Sequence, residues 1–160
     1  MNASQPTPPN TIPWPPIIVA GSIAAALILE RLVPLGFLVP SPFVSVGASI
    51  MAAGLLLDVA AMRTMHRYRV NILPHRAATG LVTAWPFSMS RNPIYLGNTI
   101  VLAGAALAFR NPWFLALAAG SAWTVTHLAI QREERHLAAL FGPKWDDYAD
   151  RVPRWLRVWP

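Results

Sequence analysis

Two polar stretches of the chain hold residue types that could take part in chemistry. The first is SRNPIY at residues 90–95, directly before an apolar segment, and the second is QREE at residues 131–134, directly after another. The guanidinium of Arg91 could bind a carboxylate through paired hydrogen bonds. Asn92 and Pro93 are suited to begin a helix, the first as its cap and the second as its first residue.

A polar stripe leads from the second stretch back into the apolar segment that precedes it. Helical spacing puts four polar residues on one face: Thr124, His127, Gln131 and Glu134. Glu133 points to a different face. Because a polar stripe in a membrane segment is costly unless it faces other helices or water, we take His127 and Glu134 as candidate catalytic residues. Arg91 joins them because its guanidinium could orient a carboxylate. A helix that merely emerges from lipid would explain the charges, but explains Thr124 and His127 less well.

The residues show no pattern typical of a metal or a soluble-type nucleotide site. His66, His75, His127 and His136 follow neither H-x-x-x-H nor H-E-x-x-H spacing, and the sequence contains no cysteine. The glycine-rich motifs of dinucleotide and P-loop sites do not occur either. We therefore predict no metal ligands. Asp58 lies inside an apolar segment, where it either reaches the headgroups or has a functional role.

The composition favours a membrane protein. Of the 160 residues, 54% are hydrophobic and 12% are charged, whereas soluble domains carry about 25% charged residues. Four apolar segments occur: Pro15 to Leu32, Phe43 to Met62, Ile94 to Phe109 and Trp113 to Ile130. Because only Arg110-Asn111-Pro112 separates the last two, they are expected to form an antiparallel hairpin. The sequence predicts an all-α, integral membrane helical bundle with about four crossings, the third of them short and shallow or tilted.

The basic residues predict the orientation of the bundle. Of 13 Lys and Arg residues, all but Arg31 and Arg110 lie near the 63–91 connector or the 131–160 tail. The positive-inside rule then places both termini, the connector and the site in the cytosol, in a multi-pass protein of the inner membrane. Since these residues mark segment ends instead of forming an arm, we expect contact with the lipid bilayer and no nucleic-acid partner.

The chain is expected to form one domain. Residues 1–14 are rich in proline and uncharged, which predicts a disordered tail, and residues 15–160 form a single membrane domain. No basic stretch precedes the first apolar segment, so we expect it to be retained instead of cleaved. Beyond Ile130 a helical extension is predicted, ending at Gly142-Pro143. No obligate protein partner is evident.

Two motifs in order carry a family resemblance over about residues 70–155. LVTAWPFSMSRNPIYLG, followed by a helical hairpin and EERHLAALFGPKWDDYADRVP, resembles the isoprenylcysteine carboxyl methyltransferase and phospholipid methyltransferase superfamily. R-[HN]-P-x-Y alone also occurs in membrane steroid-type reductases, but the ordered pair discriminates better. The resemblance implies an enzyme that binds S-adenosylmethionine between the connector and the extension of the last hairpin helix. The implied enzyme methylates a lipophilic or small-molecule acceptor, which is a carboxylate, an amine or a thiol.

The resemblance also implies the residues that contact the cofactor. They are Leu81, Val82, Phe87, Asn92, Pro93, Ile94, Tyr95 and Glu133. Of the two adjacent glutamates, the resemblance assigns the cofactor contact to Glu133, whereas the polar stripe favours Glu134. The chain departs from the family at Ala84-Trp85-Pro86-Phe87, where a Gly-Pro-Tyr type of turn is common. It also has Ala129 where prenylcysteine enzymes hold their substrate with an arginine, so a prenylcysteine acceptor is not implied.

Methyl transfer from a sulfonium needs positioning and exclusion of water more than ionisable groups. Arg91 would orient a carboxylate of the acceptor or the cofactor. An amine acceptor must lose a proton, for which His127 or Glu134 is the hypothesis. Two other functions stay open at this point, an NADPH-dependent membrane reductase of the steroid type and a non-catalytic membrane scaffold.

Overall fold

The described part of the chain is helical. A computed structural model describes residues 14–35, 40–70 and 80–156. Its six α-helices are α1 (Trp14–Leu32), α2 (Ser41–Arg67), α3 (Pro93–Ala108), α4 (Trp113–Val125), α5 (Gln131–Phe141) and α6 (Pro143–Arg151). A π-helical turn, Thr126–Ile130, joins α4 to α5 without a break. No strand occurs within these ranges, and the predicted all-α class is confirmed.

Three helical stretches are long and apolar enough to cross a membrane. They are Trp14–Leu32, Pro42–Arg67 and Trp113–Phe141. The apolar helix α3 has only 16 residues, or about 24 Å at 1.5 Å per residue, which is less than a hydrocarbon core of about 30 Å. The predicted membrane bundle is confirmed, with three full-length helices and a shorter fourth. α2 runs five residues past Met62, the predicted end of the second apolar segment. The predicted tail lies outside the described residues, except for Trp14, which begins α1.

Glycines bring α2 and α3 into close contact. Gly47 and Gly54 on α2 meet Gly97 and Gly104 on α3, and a Cβ added to Gly54 would lie 2.7 Å from the carbonyl oxygen of Gly97. Likewise, a Cβ added to Gly104 would lie 2.7 Å from the backbone nitrogen of Met51. Small residues in membrane helices let backbones approach in this way. The contact fixes the start of α3, which carries Asn92 and Tyr95.

The membrane helices form an open arc. α2 packs on α3, α3 on α4, and α4 on α1, while α1 and α2 do not pack against each other within the described residues. The α3–α4 turn lies at one end of the bundle. There, Asn111 donates from Nδ2 to the carbonyl oxygen of Ala26 at 3.0 Å. Its Oδ1 accepts from the backbone nitrogen of Trp113 at 3.0 Å. This buried asparagine ties α1 to the α3–α4 hairpin.

Candidate active site

A cavity of about 590 Å³ lies where α1, α2, α3, α5 and the loop before α3 meet. Sites for small molecules typically have volumes of about 300–1,000 Å³. The wall of this cavity has two parts. Helices α1 and α2 supply an aliphatic part, and the loop before α3, α3 itself and α5 supply polar side chains. The aliphatic part consists of Pro15, Pro16, Val19, Ala20, Ile23, Met62 and Met65.

The residues that the family resemblance assigned to the cofactor all line this cavity. They are Leu81, Val82, Phe87, Asn92, Pro93, Ile94, Tyr95 and Glu133. The hydroxyl of Tyr95 donates to Oε2 of Glu133 at 3.3 Å, although the two residues are 38 positions apart. This hydrogen bond joins the two sequence motifs directly. The structure therefore brings the two polar stretches together at a single cavity.

The π turn explains why Glu133, and not Glu134, reaches the cavity. The buried face of α4 runs through Phe114, Ala118, Ser121 and Val125. At 3.6 residues per turn, an uninterrupted α-helix would present Arg132 on this face two turns after Val125. The π turn uses i→i+5 hydrogen bonds and so contains about one residue more. Glu133 consequently takes the inward position.

Glu134 lies behind the cavity wall, between two arginines. It accepts hydrogen bonds from Nε of Arg154 at 3.0 and 3.1 Å, and one carboxyl oxygen is 3.5 Å from an amino group of Arg91. It is not among the residues that line the cavity. Its hydrogen bonds raise the pKa of Arg154 above the usual arginine value, so this cation persists at any working pH. The geometry makes Glu134 a support for Arg91.

Arg91 lines the cavity. Its guanidinium carbon lies 5.6 Å from the ring centroid of Trp145, a distance suited to a cation–π contact. Its backbone nitrogen donates to the carbonyl oxygen of Pro153 at 2.9 Å. Its Nε is buried and has no hydrogen-bond partner among the described residues. A carboxylate placed in the cavity could accept from the guanidinium of Arg91.

The structure does not bring His127 to the cavity. Its side chain is exposed and contacts the exposed ring of Trp123 in a tilted arrangement, with ring centroids 4.7 Å apart. Thr124, on the same predicted stripe, donates to the carbonyl oxygen of Gly120 at 2.7 Å. The stripe was predicted from an uninterrupted α-helix, which the π turn does not follow. The assignment of His127 as a base therefore has no support from the geometry.

The C-terminal segment closes one side of the site. Trp145 and Tyr148 of α6 line the cavity, and the hydroxyl of Tyr148 donates to the carbonyl oxygen of Phe87 at 2.7 Å. Burial raises the pKa of Tyr148 above its ordinary value, and nearby Arg91 lowers it less. Tyr148 therefore stays a neutral donor. The sequence signal for this role is the mixture of aromatic and basic residues after Gly142.

Asn92 holds this segment in place and does not cap α3 with its side chain. Its Nδ2 donates to the carbonyl oxygen of Arg154 at 3.0 Å, and Oγ of Ser90 donates to the same oxygen at 3.2 Å. The backbone nitrogen of Asn92 donates in turn to Oγ of Ser90 at 3.1 Å. The start of α3 and the end of the chain's described part are thus one connected hydrogen-bonded unit.

Residues 43–144 match the phospholipid methyltransferase family. The chain belongs to this family. The resemblance to the isoprenylcysteine carboxyl methyltransferase-like superfamily is thereby confirmed. Together with the three long apolar helices, membership of this family makes the chain a membrane protein. The matched residues include α2 to α5 and leave out α1 and most of α6, both of which supply cavity walls.

This phospholipid methyltransferase family member also resembles one metal-resistance protein. It is 32% identical over 109 residues to the nickel-cobalt-cadmium resistance protein NccN of Alcaligenes xylosoxydans xylosoxydans. The match covers 68% of this chain and 50% of NccN, so the chain spans about half the length of that relative. No solved structure matches the chain.

Proposed function

We propose that this family member transfers a methyl group from S-adenosylmethionine to a small or lipid-like acceptor. One observation carries the proposal: two motifs far apart in sequence meet in one cavity, joined by the hydrogen bond from Tyr95 to Glu133. When bound, S-adenosylmethionine supplies an electrophilic methyl group on a sulfonium. The protein's own task is to hold both reactants and exclude water, for which effective molarities are on the order of 10⁵ to 10⁸ M.

The residues of the cavity fit such a cofactor. The guanidinium of Arg91 suits a carboxylate, and the carboxyl group of Glu133 suits a hydroxyl or an ammonium group. Leu81, Val82 and Ile94 offer apolar contact to a purine. The cavity volume of about 590 Å³ leaves space for a second, smaller group beside a nucleoside.

A lateral opening supports a lipid-like acceptor. α1 and α2 both contribute to the cavity wall but do not pack on each other. Ile23 of α1 and Met62 of α2 line the cavity and are nevertheless 39% and 38% exposed on the surface of the protein. In a bilayer this surface faces acyl chains, so we infer that an apolar acceptor enters between α1 and α2.

We further infer that the site faces the cytosol from the inner membrane. The end of the bundle that holds the cavity also holds Arg63, Arg67, Arg132 and Arg135, whereas Arg31 and Arg110 mark the opposite end. The positive-inside rule places the more basic end in the cytosol. A polar cofactor would reach the site from that side.

Titration of the detergent-purified protein tests the proposed cofactor. We expect S-adenosylhomocysteine to bind, and Glu133→Gln to weaken its affinity by about tenfold, because a charge-assisted hydrogen bond contributes about 1.5–3 kcal/mol. Asp146→Asn, at an exposed position of α6, is the control and should bind as the wild type does. Tight binding of NADPH without binding of S-adenosylhomocysteine would reject the proposal in favour of a reductase. Binding of neither ligand would indicate a scaffold.

A further inference from the structure

His136 is a polar residue of the cavity that the proposed function does not yet use. It lies on α5, three residues after Glu133, so that both side chains lie on one helix face and line the cavity. Its Nε2 is buried and has no hydrogen-bond partner among the described residues. Burying a polar atom without a partner is unfavourable, and a structural histidine normally has such a partner.

The other buried and unpaired atoms do not offer this chemistry. Among the described residues these are on Glu30, Asp58 and Arg91, and of the three only Arg91 lines the cavity. An arginine stays protonated and cannot accept a proton. An imidazole nitrogen with a free electron pair can accept a proton.

The remaining ionisable groups of the cavity wall are already engaged. Glu133 accepts from Tyr95, and Tyr148 donates to the carbonyl oxygen of Phe87. Outside the wall, Glu134 lies between Arg91 and Arg154. His136 is thus the group on the described cavity wall that is best placed to take a proton from a bound molecule.

We propose that the imidazole of His136 is the general base of methyl transfer, so that the acceptor carries a proton on its reacting nitrogen or sulfur. The acceptor's electron pair forms the new bond to the methyl carbon while the bond from carbon to sulfur breaks and its pair stays on sulfur. The proton on the reacting nitrogen or sulfur moves to the imidazole of His136, and the imidazolium later releases it to water. A carboxylate acceptor, already ionised, would need no base. The inference rests on the proposed function.

The test uses membranes that contain the full chain and S-adenosylmethionine labelled in its methyl group. After lipid extraction, alkali releases a methyl ester as volatile methanol but leaves N-methyl and S-methyl groups in place. We expect alkali-stable label, and mass spectrometry of the labelled lipid then distinguishes nitrogen from sulfur. His136→Phe should lower the transfer rate by about 100-fold or more, the usual contribution of a general base.

Two controls separate a catalytic role from a structural one. His136→Phe should bind S-adenosylhomocysteine within about twofold of the wild type, because the tested group acts on the acceptor. His66→Phe, at an exposed position of α2, should keep the wild-type transfer rate.

Four results would overturn the inference. They are alkali-volatile label, a wild-type rate in His136→Phe, loss of S-adenosylhomocysteine affinity in His136→Phe, or a wild-type protein that binds S-adenosylhomocysteine yet labels no amine or thiol. Failure of the wild type to bind S-adenosylhomocysteine would instead reject the proposed function.

Discussion

At the scale of the residue, two adjacent glutamates have different roles. Glu133 is in the cavity wall and accepts from Tyr95, whereas Glu134 points toward Arg91 and Arg154. The stripe of polar residues could not separate them, because it assumed a uniform helix. The family resemblance did separate the two glutamates, because it assigns roles by position in the motif and assumes nothing about the winding of the helix. Sequence reasoning passed over His136, although its spacing of three residues from Glu133 places it on the same helix face.

Removing the second partner of Glu134 tests its supporting role. Arg154→Gln should lower the free energy of unfolding by about 1 kcal/mol, toward the low end for hydrogen bonds to charged groups, because the Arg154 side chain is 37% exposed. The check is unfolding in detergent. Arg151→Gln is the matched control on the same segment. Arg151 pairs with Asp147 at side-chain exposures of 71% and 68%, so its loss should change stability by less than about 0.5 kcal/mol. Equal losses in both variants would contradict the supporting role.

At the scale of the element, hydropathy and spacing predicted where the helices lie but not how the last of the membrane helices winds. The four apolar segments became α1 to α4, and the Arg110-Asn111-Pro112 turn became the predicted hairpin between α3 and α4. The π turn over THLAI carries no proline, glycine or other marker, so sequence alone could not predict it. Such turns are rare and often occur at functional sites. Here it decides which residue of α5 faces the cavity.

The π turn predicts an unusual tolerance to deletion. Removing the exposed His127 takes out the extra residue, so the turn can wind as α-helix and Glu133 keeps its orientation. We expect affinity for S-adenosylhomocysteine within about threefold of the wild type. Inserting one alanine after His127 is the control, because it rotates α5 by about 100° and should lower affinity by more than tenfold. The reverse ranking of the two variants, measured by titration, would show that the turn does not set the register.

At the scale of the whole molecule, the site depends on parts of the chain that the family match does not cover. The family match covers residues 43–144, yet α1 supplies much of the aliphatic wall and the segment after 144 supplies Trp145 and Tyr148. Composition could predict that α1 crosses a membrane, but not that it would pack on α4 and remain apart from α2. That depends on which of several apolar surfaces pair, and apolar surfaces differ little in their affinity for each other inside lipid.

The separation of α1 from α2 leads to a prediction about acceptor access. Because the chain has no cysteine, Ile23→Cys creates a single reactive thiol at the lateral opening, and a bulky lipid-soluble maleimide attached there should block it. We expect methyl transfer to membrane lipid to fall by more than about tenfold, with affinity for S-adenosylhomocysteine unchanged, since the cofactor enters from water. Leu27→Cys is the matched control, one turn further along α1, 54% exposed and outside the cavity wall. Equal inhibition at both positions would place acceptor entry elsewhere, because only one of the two thiols lies at the gap between the helices.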